Sequence, residues 1–215
     1  MQPLLHVRDL TVCYHSGDRQ PIVAVNEMSF DIARGEAVGL LGESGCGKTT
    51  LGLTVLRLLP VSGHVKSGSI TLMDNDLLAL RERELQRFRG SCMSMVYQQP
   101  GAALNPVIRV GDQIAVVLRA HRPLSWVRAR EEAKGLLAQV GLAPHGGISD
   151  AYPHQLSGGE KQRVVIAQAI ACCPALSLPV PLSASRCAAL VSCRICRDLP
   201  ICSLSLPTRA SSWPV

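Results

Sequence analysis

The fold of this chain is decided by residues 42–50, which read Gly42-Glu43-Ser44-Gly45-Cys46-Gly47-Lys48-Thr49-Thr50. A short apolar strand, Glu36 to Leu41, precedes this stretch, and Leu51 to Leu59 follow it with helical spacing of apolar side chains. Glycines in such a loop let backbone N–H groups turn inward around phosphate oxygens, and the following helix adds the positive end of its dipole. The stretch therefore predicts a strand, a phosphate-binding loop and a helix in succession.

Gly42 and Gly47 are separated by four residues, and Lys48 and Thr49 follow Gly47 directly, which is the spacing of a complete P-loop. In this motif the ammonium of Lys48 reaches the β and γ phosphates of a nucleotide, and the hydroxyl of Thr49 ligates Mg²⁺. The loop position of Cys46 requires no particular side chain, so its thiol is expected to be incidental. The residues predicted to bind the nucleotide here are Gly42, Ser44, Gly45, Cys46, Gly47, Lys48, Thr49 and Thr50, and Lys48 is also predicted to act in catalysis.

A second stretch, residues 156–163, reads Leu-Ser-Gly-Gly-Glu-Lys-Gln-Arg and precedes a predicted helix from Lys161 to Cys172. Ser157 is a favourable N-cap, and the two glycines after it expose backbone N–H groups at a helix start, which favours an anion. Taken alone, the same residues are equally consistent with an ordinary helix cap.

The composition excludes several classes of protein. Of 215 residues 47% are apolar and 18% charged, so a core can be buried, although aromatic residues are only 3% and the core must be aliphatic. No run of 18 apolar residues predicts a membrane span, and the first residues do not predict a secretory signal. The chain is therefore expected in the cytoplasm, where it could still dock on a membrane protein.

The net charge of +6 does not predict a nucleic-acid partner. Residues 1–160 contain 16 Lys or Arg and 15 Asp or Glu, whereas residues 161–215 contain 6 and one. The excess belongs to the last quarter of the chain, and a clustered basic stripe with aromatic residues is not visible in the sequence.

The two glycine-rich stretches, about a hundred residues apart, resemble those of the ATP-binding subunits of ABC transporters. Further matches strengthen this resemblance, and their sequences are typical of the branch that imports di- and oligopeptides or nickel. The resemblance covers residues 4 to about 175. The additional matches are Tyr14, residues 96–100 (Val-Tyr-Gln-Gln-Pro), residues 104–106 (Leu-Asn-Pro), residues 110–114 (Val-Gly-Asp-Gln-Ile) and residues 152–155 (Tyr-Pro-His-Gln).

The resemblance implies a P-loop α/β domain with an antiparallel β portion and an inserted helical subdomain, binding ATP and Mg²⁺. Tyr14 is then the aromatic residue that stacks on adenine, and Gln98 contacts both Mg²⁺ and the membrane partner as a catalytic and metal-contacting residue. Ser157, Gly158 and Gly159 complete the nucleotide site of a second ATP-binding subunit. From the residues alone, Tyr14 is also compatible with a core position at a strand end, and Gln98 with an ordinary polar loop position.

The implied partners are a second ATP-binding subunit, identical or related, and membrane-spanning permease subunits. In such transporters the two ATP-binding domains pair head to tail. Each nucleotide then lies between the P-loop of one domain and, in the other, the stretch that corresponds to residues 156–163. The helical segment is expected to contact the permease. The expected location is peripheral, on the cytoplasmic face of the inner membrane.

The sequence departs from this family after the predicted helix from Lys161 to Cys172. The family has there an apolar strand ending in Asp-Glu, beside the P-loop strand, and a later switch histidine. This chain reads Ser177-Leu178-Pro179-Val180-Pro181, and it has no Glu after Glu160 and no His after His154. Two prolines in five residues are expected to exclude a central strand. A chain without the general base is predicted to hydrolyse ATP poorly.

This departure suggests a partial ATP-binding domain over residues 1–176, incomplete at its C-terminus, with a helical subdomain at about 100–155. Residues 177–215, rich in Ser, Pro, Cys and Arg, are interpreted as a non-homologous tail that is disordered or translated from another reading frame. The coding DNA tests this hypothesis. One of the other two frames should continue with an apolar run, Asp-Glu-Pro and a later His, and the hypothesis fails if neither does.

Two other functions remain open from the sequence. The chain could be a non-catalytic nucleotide-binding remnant without a transport role, which leaves its status as an enzyme open. It could also be a soluble ABC ATPase acting on nucleic acid or ribosomes. The nearly balanced charge of residues 1–160 and the Leu-Asn-Pro segment count against this alternative.

Overall fold

The computed structural model describes residues 3–15, 20–43, 45–96, 99–142, 147–179 and 187–192. Two four-stranded sheets and a group of helices make up this part of the chain. In chain order the elements are β1 (Leu5–Tyr14), β2 (Ile22–Ile32), β3 (Ala37–Leu41), α1 (Lys48–Val55), β4 (Gly63–Leu72), β5 (Asn75–Asp76), α2 (Glu82–Phe88), β6 (Met93–Val96), α3 (Pro100–Ala103), α4 (Val110–His121), α5 (Trp126–Gln139), short 3-10 helices at Ile148–Asp150 and Pro153–Gln155, α6 (Gly158–Ile170), β7 (Leu176–Pro179) and β8 (Cys187–Ser192).

The first sheet is antiparallel, in the order β2-β1-β4-β5. Its central strand β1 pairs Leu5 with Ile32 of β2 on one side and with Leu72 of β4 on the other. Leu5, Val7, Leu10 and Val12 are all buried, because the apolar positions of β1 face the core and irregularities in the register keep them there after residue 8. This is the antiparallel β portion that the sequence predicts.

The second sheet has the order β3-β8-β7-β6, with β6 and β7 parallel and β8 antiparallel to both of its neighbours. The expectation that prolines exclude a central strand is wrong for residues 176–179. Pro179 is the last residue of β7, opposite Val96, and a proline costs least at the end of a ladder because the ladder needs no further N–H there. β7 is also not the direct neighbour of β3, since β8 lies between them.

Two hydrophobic cores lie in the described part of the chain. The first joins β1, β2, β4 and the inner faces of α1 and β7, with Leu51 of α1 and Leu176 of β7 fully buried in it. The second joins α4, α5 and α6 around Ile114, Ala133 and Val164. This helical core extends beyond residue 155, because the buried face of α6 belongs to it.

The Leu-Asn-Pro segment has a structural role at the start of the helical region. The buried Gln113 accepts a hydrogen bond from the backbone N–H of Asn105 at 2.9 Å and donates to the carbonyls of Asn105 and Ile108 at 2.9 and 2.8 Å. These bonds satisfy a buried amide and fix the loop that leads into α4. No helix in the described ranges is long and apolar enough to cross a membrane.

Candidate functional site

At two positions of the loop between β3 and α1, the backbone has a conformation that only glycine adopts readily. Gly45 and Gly47 have φ of 90° and 92°, in the left-handed region. A Cβ on Gly47 would also lie 2.3 Å from the carbonyl oxygen of Ala24 in β2, so the loop passes directly against the first sheet. No side chain caps α1, and its first turn holds no acidic residue, so its N-terminal N–H groups and dipole favour an anion.

The ammonium of Lys48 lies over the same loop. Its Nζ donates to the carbonyl oxygens of Gly42 at 2.8 Å and Glu43 at 2.6 Å, and it is 3.3 Å from the sulfur of Cys46. The sequence interpretation of Cys46 as incidental therefore misses a contact, since its Sγ is an acceptor for the P-loop lysine. These bonds hold the positive charge against the loop that leads into α1, and both the charge and the helix N-terminus favour phosphate.

Two further predicted residues, Thr49 and Thr50, lie in the first turn of α1, and a third, Tyr14, contacts this turn from the end of β1. Thr49 is exposed on the first turn, where its hydroxyl is free to meet a ligand. The phenolic oxygen of Tyr14, at the end of β1, is 3.3 Å from the Oγ1 of Thr50, within hydrogen-bond distance. The fold thus joins the predicted base-stacking residue to the predicted phosphate loop across 36 positions of sequence. Two predicted residues, Ser44 and Gln98, lie outside the described residues.

One residue at this end of the sheet was missed by sequence reasoning. Gly63, the first residue of β4, lies opposite Tyr14 and directly beside its ring. A glycine after a Pro-Val-Ser turn indicates only a loop, so nothing in a single sequence indicates its contact with Tyr14.

The second predicted stretch forms the start of α6 with a complete capping box. The Oγ of Ser157 accepts from the backbone N–H of Glu160 at 3.3 Å and donates to its carboxylate at 2.7 Å, while that carboxylate accepts from the N–H of Ser157 at 2.8 Å. These bonds from the Ser157 hydroxyl and backbone hold the pKa of Glu160 below its ordinary value. Gly158 and Gly159 are exposed, so the helix start is open to a ligand.

An open pocket of about 580 Å³ adjoins this helix start. Its lining includes Ser157, Gly159 and Glu160 from the helix start, together with Gly141 and Arg163. Arg163 donates to the carbonyl oxygen of Gly141 at 3.0 Å, which ties α6 to the end of α5. The stretch at residues 156–163 therefore both caps α6 and lines a pocket.

The two glycine-rich stretches are not brought together within the chain. The P-loop is built on the first core, whereas Ser157 and the pocket beside it belong to the helical core. In the described ranges no hydrogen bond or ion pair joins residues 42–50 to residues 156–163. Tyr14, Lys48 and Thr49 thus form one half of a candidate site, and the start of α6 forms a separate half.

Comparison with known proteins identifies the family. The family model described as ABC transporter matches residues 25–178, more than half of the chain. The Oligopeptide transport ATP-binding protein AppD of Bacillus subtilis is 42% identical over 177 residues, which are 82% of this chain and 54% of AppD. The Probable D,D-dipeptide transport ATP-binding protein DdpD of Escherichia coli is 40% identical over 81% of this chain and 53% of its own length.

The Oligopeptide transport ATP-binding protein OppD of Mycobacterium tuberculosis is 45% identical over 80% of this chain and 28% of its own length. The chain thus spans about half, or less, of the length of these curated relatives. Among solved structures, the dimeric ATP-binding cassette MJ0796 in a post-hydrolysis state with ADP and Pi superposes with a TM-score of 0.72 and 26% identity, covering 81% of this chain and 72% of that one. These matches show that the chain belongs to the ABC transporter family.

Proposed function

We propose that this chain binds Mg-ATP through residues 42–50 and serves as the ATP-binding subunit of an importer for peptides or a similar small solute. The observation that carries the proposal is the P-loop, where one short loop combines Lys48, the uncapped N-terminus of α1 and two left-handed glycines. The printed names of AppD, DdpD and OppD, which are peptide transport ATP-binding proteins, support the substrate class.

The residues present fit a magnesium nucleotide. Lys48 would hold the β and γ phosphates, and Thr49 would contribute its hydroxyl to the metal. The half-buried ring of Tyr14 would stack on the base, because its hydroxyl lies beside Thr50 and its ring therefore stands next to the phosphate loop. Gln98 would contact the metal and the membrane partner.

A second subunit is part of the proposal. Because the P-loop and the start of α6 lie on separate cores, Ser157, Gly158 and Gly159 would complete the nucleotide site of a partner, and the partner would complete this one. The dimeric state named for MJ0796 supports this pairing. The partner is a second copy or a related ATP-binding subunit, and the helical region at about 100–155 would contact permease subunits at the cytoplasmic face of the membrane.

We further propose that this chain binds ATP without hydrolysing it at an appreciable rate. β7 ends at Pro179, where the family resemblance implies an Asp-Glu pair, and the residues after Glu160 include no Glu. Loss of a general base lowers a rate by about 10²–10⁴-fold. This favours, as a second candidate function, a nucleotide-binding remnant without a transport role.

Thermal unfolding of the purified chain with and without Mg-ATP tests both parts. A rise in Tm of several degrees is expected when the nucleotide is far above its dissociation constant, because only the folded chain binds it. Phosphate release should stay at background in the same samples. An unchanged Tm contradicts nucleotide binding, and steady turnover contradicts the proposed defect.

Reconstitution with an intact partner subunit and permease separates the two functions. A transport subunit should support ATP-dependent peptide uptake when its partner supplies the catalytic glutamate. The remnant should bind nucleotide and support no uptake. Copurification with nucleic acid or ribosomes instead of membrane subunits would contradict both.

A further inference from the structure

We propose that Gly63 is a positioning residue for nucleotide binding, which acts by leaving room for the ring of Tyr14 beside the P-loop helix. The proposal rests on the proposed function, since it takes Tyr14 as the residue that stacks on the base. It assigns a role in base recognition to a residue outside both glycine-rich stretches.

The contact between Gly63 and Tyr14 is a direct cross-strand pair. Tyr14 of β1 lies opposite Gly63 of β4 in the antiparallel register, so a side chain at position 63 would share the face that holds the ring. A Cβ built on Gly63 would lie 2.8 Å from Cε1 of Tyr14 and 3.2 Å from its Cδ1. The ring therefore occupies the space that any other residue at position 63 would need.

The backbone of Gly63 does not itself require glycine. Among the glycines that the structure describes, those with φ in the left-handed region are Gly35, Gly45, Gly47, Gly68, Gly90, Gly141 and Gly147, and Gly63 is not one of them. After the two ring atoms of Tyr14, the next nearest atom is the Cβ of Leu59, at 3.4 Å, which is an ordinary contact distance. The overlap that alanine at position 63 would meet is therefore with the ring of Tyr14.

The ring has a second contact at its tip. The phenolic oxygen of Tyr14 is 3.3 Å from Oγ1 of Thr50, one residue after Thr49, the predicted magnesium ligand. The edge of the ring therefore fits into the room that Gly63 leaves, and its hydroxyl contacts the first turn of α1. A ring fixed in this way is ready to receive a base, because less rotamer freedom is lost when the base stacks on it.

A methyl group at position 63 would move the ring. To reach an ordinary carbon–carbon distance of about 3.5 Å, Cε1 must shift by about 0.7 Å, which also disturbs the contact with Thr50. Complete loss of stacking between a base and an aromatic ring corresponds to about 5- to 150-fold in affinity. For a displaced ring we expect Gly63→Ala to weaken ATP binding by about 3- to 10-fold.

The experiment measures the affinities of Mg-ATP and Mg-tripolyphosphate by calorimetry on the full chain. Tripolyphosphate has the phosphates and lacks the base, so it reports on the P-loop alone. The variants are Gly63→Ala, Tyr14→Ala, the double variant, and Gly135→Ala as a matched control. Gly135 lies in α5, and a Cβ there meets no atom within 4 Å.

The expected result is a loss of ATP affinity in Gly63→Ala with tripolyphosphate affinity unchanged, and no change for either ligand in Gly135→Ala. In the Tyr14→Ala background, Gly63→Ala should have no further effect, because the atom that it displaces is gone. An unchanged ATP affinity in Gly63→Ala, an equal loss for both ligands, or a full additional loss in the Tyr14→Ala background overturns the proposal.

The experiment also distinguishes misfolding of a variant, and failure of the proposed function, from failure of this inference. If Gly63→Ala does not fold, the double variant, which has no overlap, should fold, and Tyr14→Ala must then show the selective loss for ATP. If it does not, the proposal is overturned. A wild-type chain that binds neither ligand refutes the proposed function itself, whereas wild-type binding of tripolyphosphate as tightly as ATP refutes only the role of Tyr14 and Gly63.

Discussion

Replacing Lys48 with alanine is expected to lower the affinity for Mg-ATP by about 100-fold or more and to abolish the rise in Tm that the nucleotide produces. Two hydrogen bonds from an ammonium to phosphate oxygens contribute about 1.5–3 kcal/mol each, and 1.4 kcal/mol corresponds to a factor of ten. Part of this gain is offset, because Nζ must exchange its bonds to Gly42 and Glu43 for bonds to the ligand. Calorimetry of the variant with Mg-ATP measures the change.

Lys134→Ala is the matched control for this prediction, since Lys134 is an exposed lysine on α5 of the helical core. It removes the same charge and should leave the affinity unchanged. Lys48→Ala should itself fold, because the loop loses only hydrogen bonds near the surface, each contributing about 1 kcal/mol. A variant that keeps the wild-type shift in Tm would place the nucleotide somewhere other than the P-loop.

The sequence predicts the elements that carry the site more reliably than their first residues. Residues 110–121 have an apolar periodicity that predicts a helix over their whole length, and they form α4. By contrast, the apolar spacing of Leu51 to Leu59 leaves out the first turn of α1, because that turn is polar. The P-loop motif instead places the helix start near Lys48, where α1 begins. α6 begins at Gly158 and not at Lys161, because glycines conceal a helix start that the cap at Ser157 fixes.

The contacts that make the site depend on long-range packing, which a single sequence does not show. The approach of Gly47 to Ala24, the contact of Tyr14 with Thr50 and the space at Gly63 each join distant segments. The P-loop motif predicts which residues meet phosphate, because that chemistry is local. The position of the first sheet against the loop is set by the shared core of β1, β2, β4 and α1.

At the end of the second sheet, the sequence argues against a strand that the structure has. Proline content argued against a strand after residue 176, yet the apolar Leu176 and Leu178 are buried beside β6 and extend the sheet. Burial of two leucines outweighs one missing donor at the last position of the strand. The family match also ends within this strand, at residue 178.

Replacing Gly47 with alanine is expected to lower the free energy of unfolding by about 2–5 kcal/mol and to prevent nucleotide binding. A non-glycine residue in the left-handed region costs about 1–2 kcal/mol, and forcing atoms into a packed contact costs about 1–3 kcal/mol more. Both apply here, because φ is 92° and the new Cβ would lie 2.3 Å from the carbonyl oxygen of Ala24. The backbone must move away from β2, which turns the N–H groups of the loop away from the phosphates.

Gly45→Ala separates these two costs. Gly45 has nearly the same φ, 90°, but a Cβ there would meet no atom within 4 Å. Its variant should therefore lose only the backbone term, about 1–2 kcal/mol, and keep measurable affinity for Mg-ATP. Urea unfolding of the two variants and the wild type gives both differences. Equal losses in the two variants would mean that the contact with Ala24 relaxes without cost, and that conformational strain alone explains the requirement for glycine in this loop.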